Sequence, residues 1–369
     1  MPPERTTRAA FRAIVHMLGR VPRTSGATLD PFPTITFQER MTRIAFVFPG
    51  QGSQSVGMGQ ALATSSPAAA AVFAEADAAL GEPISRLAWN GPADVLDQTV
   101  NAQPALLATS IAYLAALRER WSRAGIPVPE PAYAAGHSMG QYSALVAAGA
   151  LSLGNGVRLV RERGVQMQRS GAGRDGRMAA IIGLEDGRLP ELLVAARLHG
   201  TFGIANRNSP GQVVVSGEKA AVEASLGIAR QLGAKRAIEL PVSVAAHSPL
   251  MAEAAAGMRR VLAGVEFADP HPPLLANADA RVLSTGEECR TELVEHLTTG
   301  VDWIAAVERM TADGVETFVE VGPGRVLAGL VKRIAPDVEI VSTDDPAAAD
   351  RLAVPFLAAT ASAAAAPSN

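Results

Sequence analysis

From Ile44 the chain alternates short, almost wholly apolar runs with longer stretches whose apolar residues recur every three or four positions. The run "IAFVF" (44–48) ends at Pro49 and a glycine-rich turn, which predicts a strand buried on both faces. An alanine-rich stretch from about Pro67 to Leu80 predicts a helix. "NAQPALLATSIAYLAALRERW" predicts another, with Arg118, Glu119 and Arg120 near its end. "AYAAGHSMG" runs from a buried strand through a turn into a helix. "ETFVEVGPGRVLAGLVKRI" repeats that design late in the chain. Strands alternating with helices predict an α/β fold whose sheet is mainly parallel and covered on both faces.

The middle of the chain breaks this rhythm. Strands are expected over 176–184, 202–208, 212–217 and 234–242, and helices over 188–198 and 218–232. That order, β-α-β-β-α-β, is the ferredoxin-like unit, and it predicts a small domain over 173–244 inserted into a larger one over 41–172 and 245–345. The cleft between two such bodies is a common substrate location.

The ends differ from the body. Residues 1–40 carry Arg5, Arg8, Arg12, Arg20, Arg23 and Arg40 against Glu4, Asp30 and Glu39. We read them as a poorly ordered extension, or as sequence upstream of a working start at Met41, in preference to a targeting leader. Residues 346–369 close in the low-complexity "AATASAAAAPSN". With 48% hydrophobic residues among 369, the chain has material for a sizeable core. Its 33 basic and 36 acidic residues give no reason to expect nucleic acid as a partner. Cys289 is the single cysteine, so an internal disulfide framework and a cysteine-rich metal site are excluded. No uninterrupted apolar run reaches the ~20 residues of a membrane span, so no membrane partner is expected and the expected setting is cytoplasmic.

Gly136-His137-Ser138-Met139-Gly140 fits G-x-S-x-G, in which a serine sits on a sharp strand-to-helix turn and small flanking residues let the chain pass. The following helix would aim the Met139 amide at a tetrahedral oxyanion. The competing reading is a serine that only starts a helix. A nucleophilic serine needs a base, and the chain has six histidines. His16 lies in the extension, His199 ends a helix of the small domain, and His271 sits in "DPHPP". In a tight elbow the His137 side chain should point away from the serine. His247 and His296 remain, and His247 lies where the small domain returns to the large one. "PGQGSQ" fails as a nucleotide loop, because Ser55 stands where the last glycine belongs and no G-K-[ST] follows.

"FVFPGQGSQSVGMG", "GHSMGQYSALVAAGA", "RERGVQMQ", "ANRNSPGQVVVSG", "PVSVAAHSPLM" and "VEVGPGRVLAGL" together resemble the malonyl-CoA:acyl carrier protein transacylases, including stand-alone, trans-acting polyketide acyltransferases, over about residues 42–340. The resemblance implies an α/β-hydrolase-like large domain with an inserted ferredoxin-like domain. It implies Ser138 as nucleophile, His247 as base, and the backbone N–H groups of Gln51 and Met139 as oxyanion hole. A main-chain carbonyl would orient the base; the residue supplying it is usually glutamine and here is His296, a departure that leaves the role of the His296 side chain open. Arg163 is implied as the partner of the malonyl carboxylate, a task suited to a planar guanidinium, while Arg158 and Arg161 read as solvated. Asn206, ahead of Asn208, is the candidate substrate contact, and Ala246 and Met139 lie where relatives differ with acyl preference.

The implied reaction is ping-pong transfer of malonyl, or a related carboxylated acyl group such as an alkylmalonyl, from coenzyme A to the phosphopantetheine arm of an acyl carrier protein, for fatty acid or polyketide synthesis. No bound cofactor or metal is expected, coenzyme A thioester being substrate, and the chain is expected to act as a monomer. Arg325, Lys332 and Arg333 offer a docking patch for an acidic carrier, or a solvated face. Two other readings stand beside it: a serine hydrolase or editing thioesterase, recruiting an acid such as Asp269, and a silent carrier-binding subunit.

Overall fold

The computed structural model describes residues 43–125, 128–171, 175–242 and 244–344. The expected extension over 1–40 and the tail over 346–369 lie outside the described residues. Eleven strands are present among them: β1 (Ile44–Phe48), β2 (Tyr133–Gly136), β3 (Gly176–Ile182), β4 (Phe202–Ser209), β5 (Gln212–Glu218), β6 (Arg236–Glu239), β7 (Leu274–Leu275), β8 (Val282–Leu283), β9 (Val301–Asp302), β10 (Thr317–Glu320) and β11 (Glu339–Ser342).

The larger sheet has the order β11-β10-β1-β2-β7-β8, parallel from β11 to β7 and closed by antiparallel β8. β1 lies in its centre, and all five of its residues are buried. The alternation of strand side chains explains why no polar residue fits there. Ile44, Phe46 and Phe48 enter one core cluster, and Ala45 and Val47 enter the cluster on the opposite face. Helices therefore cover both faces, as the alternating pattern predicts. The helix Pro67–Leu80 starts at Ser66, whose hydroxyl accepts the Ala69 N–H at 3.1 Å, with proline in the first turn.

The helix Thr99–Arg123 is long and apolar enough to cross a membrane by length and composition. Its apolar surface is spent inside the protein: 14 of its 25 residues are buried beneath neighbouring helices.

The second sheet has the order β6-β3-β5-β4-β9. Its first four strands are mutually antiparallel and, with the helices Leu189–Arg197 and Lys219–Gln231, form the ferredoxin-like βαββαβ unit. The strand expected over 234–242 is shorter than predicted, because the chain leaves the sheet before Pro241. β9, from the later part of the chain, adds in parallel to β4. One face of this sheet packs under its own two helices, with Ala179, Ile181, Val213 and Val215. Met178, Ala205 and Val214 join the main core cluster instead. The insert is thereby seated on the large domain through a shared apolar core.

Candidate active site

β1 and β2 pair so that Phe48 lies opposite Gly136. The turns leaving both strands therefore meet at the carboxyl edge of the sheet, where open α/β folds place ligands. The glycines of the elbow are dictated by contact. A Cβ on Gly136 would lie 2.0 Å from the Gly140 carbonyl carbon, and one on Gly140 would lie 2.2 Å from the Phe48 oxygen. Ser138 sits between them at φ 54°, a left-handed backbone that costs a non-glycine residue about 1–3 kcal/mol and persists only where its surroundings enforce it. The enforcing bonds are short. Asn277 Oδ1 accepts the Ser138 N–H at 2.8 Å, and buried Gln141 accepts the Gly136 N–H at 3.0 Å while donating to the Leu275 carbonyl at 2.9 Å.

His247 also has a left-handed backbone, φ 58°, which turns its ring toward the elbow. Its Nε2 is 2.8 Å from Ser138 Oγ and its Nδ1 is 2.6 Å from the His296 carbonyl oxygen. A carbonyl only accepts, so the proton sits on Nδ1 and Nε2 presents a lone pair to the serine hydroxyl. Burial, with the charge of nearby Arg163 acting in the same sense, holds the imidazole well below its ordinary pKa, so it is neutral and able to receive a proton.

Arg163 belongs to the helix Leu153–Gly171, on the stripe Gly156, Val160, Arg163, Met167 that faces the core. Gly164 allows this helix to touch its neighbour: a Cβ there would lie 2.8 Å from the Val100 Cα. The close approach brings Gln103, which is fully buried, to Arg163, and Gln103 Oε1 accepts from Nη1 at 2.9 Å. Arg163 Nη2 donates to Ser138 Oγ at 3.2 Å and lies 3.5 Å from His296 Nε2. A guanidinium only 2% exposed thus stands within hydrogen-bond reach of an activated hydroxyl. Burial lowers its pKa from the usual arginine value, while Tyr142 and Glu292 act in the opposite sense.

Residues 45–347 match the model of the acyl transferase domain. The chain belongs to that family. It is similar to the malonyl CoA-acyl carrier protein transacylase of Escherichia coli K12, 44% identical over 308 residues, which are 84% of this chain and 98% of that protein. Its similarity to the enzyme of the same name from Bacillus subtilis 168 is 42% over 307 residues, 83% and 95% of the two chains. Among solved structures it resembles a malonyl-transacylase in complex with a type II polyketide synthase acyl-carrier protein, with a TM-score of 0.79, 40% identity, and coverage of 85% of this chain and 99% of that one.

The other residues singled out in this acyl transferase are distributed as follows. Met139 is the N-cap of the helix Gly140–Ala147, with its side chain buried. Gln51 lies in the turn after β1, which presses on the elbow: a Cβ on Gly50 would be 2.6 Å from the His137 carbonyl oxygen. Ala246 is nearly buried beside His247. His137 points away from the serine, its Nε2 2.9 Å from Asn208 Oδ1. Asn208 is therefore engaged in joining the insert to the elbow, whereas the buried Asn206 Oδ1 has no hydrogen-bond partner among the described residues.

Arg158 is exposed and Arg161 is half-buried, and both make surface bonds. Arg158 Nε donates to the Ala79 carbonyl at 2.9 Å, and Arg161 donates to Asn101 Oδ1 at 3.0 Å and pairs with Glu82. Asp269, the acid considered for a triad, instead accepts the Gly286 N–H at 2.9 Å at the start of a helix. Arg325, Lys332 and Arg333 are exposed near or on the helix Val326–Ile334. No group of three His, Cys, Asp or Glu side chains arranged for a metal occurs among the described residues.

Sequence reasoning missed the polar frame behind the site: Gln103, Gln141, Asn277 and Glu292. Gln103 and Asn277 stand beside short apolar runs, which is a weak signal, and Gln141 has none in its local sequence. Glu292 precedes His296 by four residues, the spacing at which helix side chains meet.

Proposed function

We propose that this acyl transferase carries malonyl from coenzyme A to the phosphopantetheine thiol of an acyl carrier protein by way of an ester on Ser138. One observation carries the reading: Ser138 Oγ lies between a neutral imidazole nitrogen at 2.8 Å and a buried guanidinium nitrogen at 3.2 Å. The first makes the oxygen a nucleophile. The second gives the site affinity for an acyl group that ends in a carboxylate close to the carbonyl under attack.

In the first half-reaction Ser138 Oγ attacks the thioester carbonyl while His247 Nε2 takes its proton. The tetrahedral oxyanion falls to the N–H groups of Met139 and Gln51, each such donor contributing roughly 10²–10³ in rate. Collapse expels the coenzyme A thiolate, which takes the proton from His247. In the second half-reaction the carrier thiol gives its proton to Nε2 and attacks the Ser138 ester, and the proton returns to Oγ. The His296 carbonyl holds Nδ1–H throughout. A neutral acceptor suffices because a thioester is already activated, so the absence of an acid partner is no handicap. The free carboxylate of malonyl takes the Arg163 fork through charge-assisted bonds. The similarity to transacylases named for malonyl-CoA and acyl carrier protein supports both substrates, and synthesis of a fatty acid or polyketide is the use this reaction serves.

The test is a comparison of acyl groups. Arg163→Ala should lower kcat/KM for malonyl-CoA by roughly 100-fold or more, the value of a charge-assisted pair in a buried site, and spare or improve acetyl loading. Equal loss for both acyl groups would show that Arg163 only supports the fold.

A further inference from the structure

We infer that Glu292 is a positioning residue for the carboxylate clamp: it selects the tautomer of His296 whose Nε2 accepts from Arg163. The inference rests on the malonyl-transfer reading of the site. Glu292 and His296 are 2% and 0% exposed and lie one turn apart on the helix Gly286–Thr299. His296 Nδ1 is 3.2 Å from Glu292 Oε1, and its Nε2 is 3.5 Å from Arg163 Nη2. An ionised carboxylate can only accept and a guanidinium can only donate. One form of the neutral imidazole satisfies both neighbours, with the proton on Nδ1 and the lone pair on Nε2. The other tautomer sets a lone pair against the carboxylate and N–H against N–H at Arg163.

The surroundings keep the carboxylate charged. Glu292 Oε1 also accepts the Asn277 N–H at 3.0 Å and an Nδ2–H at 3.1 Å. Burial raises the pKa of this group, whereas the hydrogen bonds donated to it by His296 and Asn277 lower it, and three N–H donors converging on one oxygen favour the ionised form. Arg163 is then fixed at both ends of its fork, Nη1 by Gln103 Oε1 and Nη2 by His296 Nε2 and Ser138 Oγ. A fork already held in place loses less freedom when a carboxylate binds. The His296 carbonyl orients the base while its ring orients the clamp, so one residue serves both halves of the site.

The test combines Glu292→Gln, which keeps the shape and an oxygen for Asn277 but removes the charge, with His296→Gln, whose amide offers an oxygen without needing a carboxylate to select it. In the parent background Glu292→Gln should lower the ratio of malonyl to acetyl loading roughly tenfold, the worth of a hydrogen bond to a charged group, with the loss falling on KM for malonyl-CoA. In the His296→Gln background the same change should leave that ratio where it was. An equal fall in both backgrounds, or equal losses for malonyl and acetyl, would overturn the inference and reduce Glu292 to a support for Asn277. A second measurement needs no Glu292 variant: nitrogen NMR of histidine-labelled parent protein, with the His296 signal identified by its loss in His296→Gln. Protonated Nδ1 and bare Nε2 are expected, and the reverse overturns the inference. Failure of the parent protein to load malonyl would sink the transfer reading and the inference with it. Loading without coupling between the two sites would sink the inference alone.

Discussion

Ser138 owes its reactivity to bonds made by residues far from it in the chain. Its backbone is held in the left-handed region by Asn277, 139 positions on, and its hydroxyl faces His247, 109 positions on. The depressed pKa of His247 has two consequences of definite sign. Its neutral, competent form persists as pH falls through 6.5, so the acid limb of kcat/KM for serine acylation should lie below that pH. A limb at or above 7 would contradict a buried, neutral base. The same depression means that below pH 6.5 the unfolded chain takes a proton that the folded His247 refuses. His247 thus contributes stability that is present above pH 6.5 and lost as pH falls toward its folded value, which denaturant titrations across that range can follow. Removing the Asn277 amide by Asn277→Ala should slow acylation roughly tenfold, since it frees the Ser138 N–H and takes the Nδ2–H donor from Glu292. Unchanged kinetics would show that the elbow holds its shape without it.

At the scale of elements, the strand-turn-helix of the elbow is fixed by contacts that no side chain can share. Gly140→Ala should destabilise the protein by about 3 kcal/mol or more, because its Cβ meets the Phe48 carbonyl, a backbone atom inside the central sheet. Gly149, at φ 75° with open space around its Cβ position, should cost about 1 kcal/mol on the same change, from backbone strain alone. Urea midpoints of the two variants give the comparison, and similar values would mean that small shifts of the elbow relieve the collision at Gly140. The helix Gly286–Thr299 that carries Glu292 and His296 begins with a capping box, Thr285 with Glu288. Thr285→Ala should cost about 1 kcal/mol, and a larger fall in malonyl loading than in stability would tie that cap to the clamp.

Elements such as these were largely legible in the sequence. β1, the helix Pro67–Leu80 and the βαββαβ order follow from apolar period and turn residues, which are local properties. β9 was not legible, because two residues hold no periodicity and its pairing with β4 is decided in three dimensions.

The molecule as a whole behaves as one body over its described residues. Met178, Ala205 and Val214 of the insert lie in the same core cluster as Phe46 and Phe48 of the central sheet, and β9 adds to the insert from the other side of the sequence. Unfolding should therefore be a single cooperative transition, with tryptophan fluorescence and far-ultraviolet dichroism coincident. Separated transitions would show that the insert folds by itself. At this scale the site was only partly legible. Ser138, His247 and Arg163 stand in recognisable motifs, whereas Gln103, Asn277 and Glu292 serve the site only because folding brings three distant helices and a strand end to one point. The measurement that bears most directly on the proposed function is mass spectrometry of the protein after brief exposure to labelled malonyl-CoA, followed by a chase with carrier protein bearing its phosphopantetheine arm. A malonyl adduct on the peptide containing Ser138, discharged onto the carrier thiol, is the expected result. Release as free malonate with no label on the carrier would contradict it.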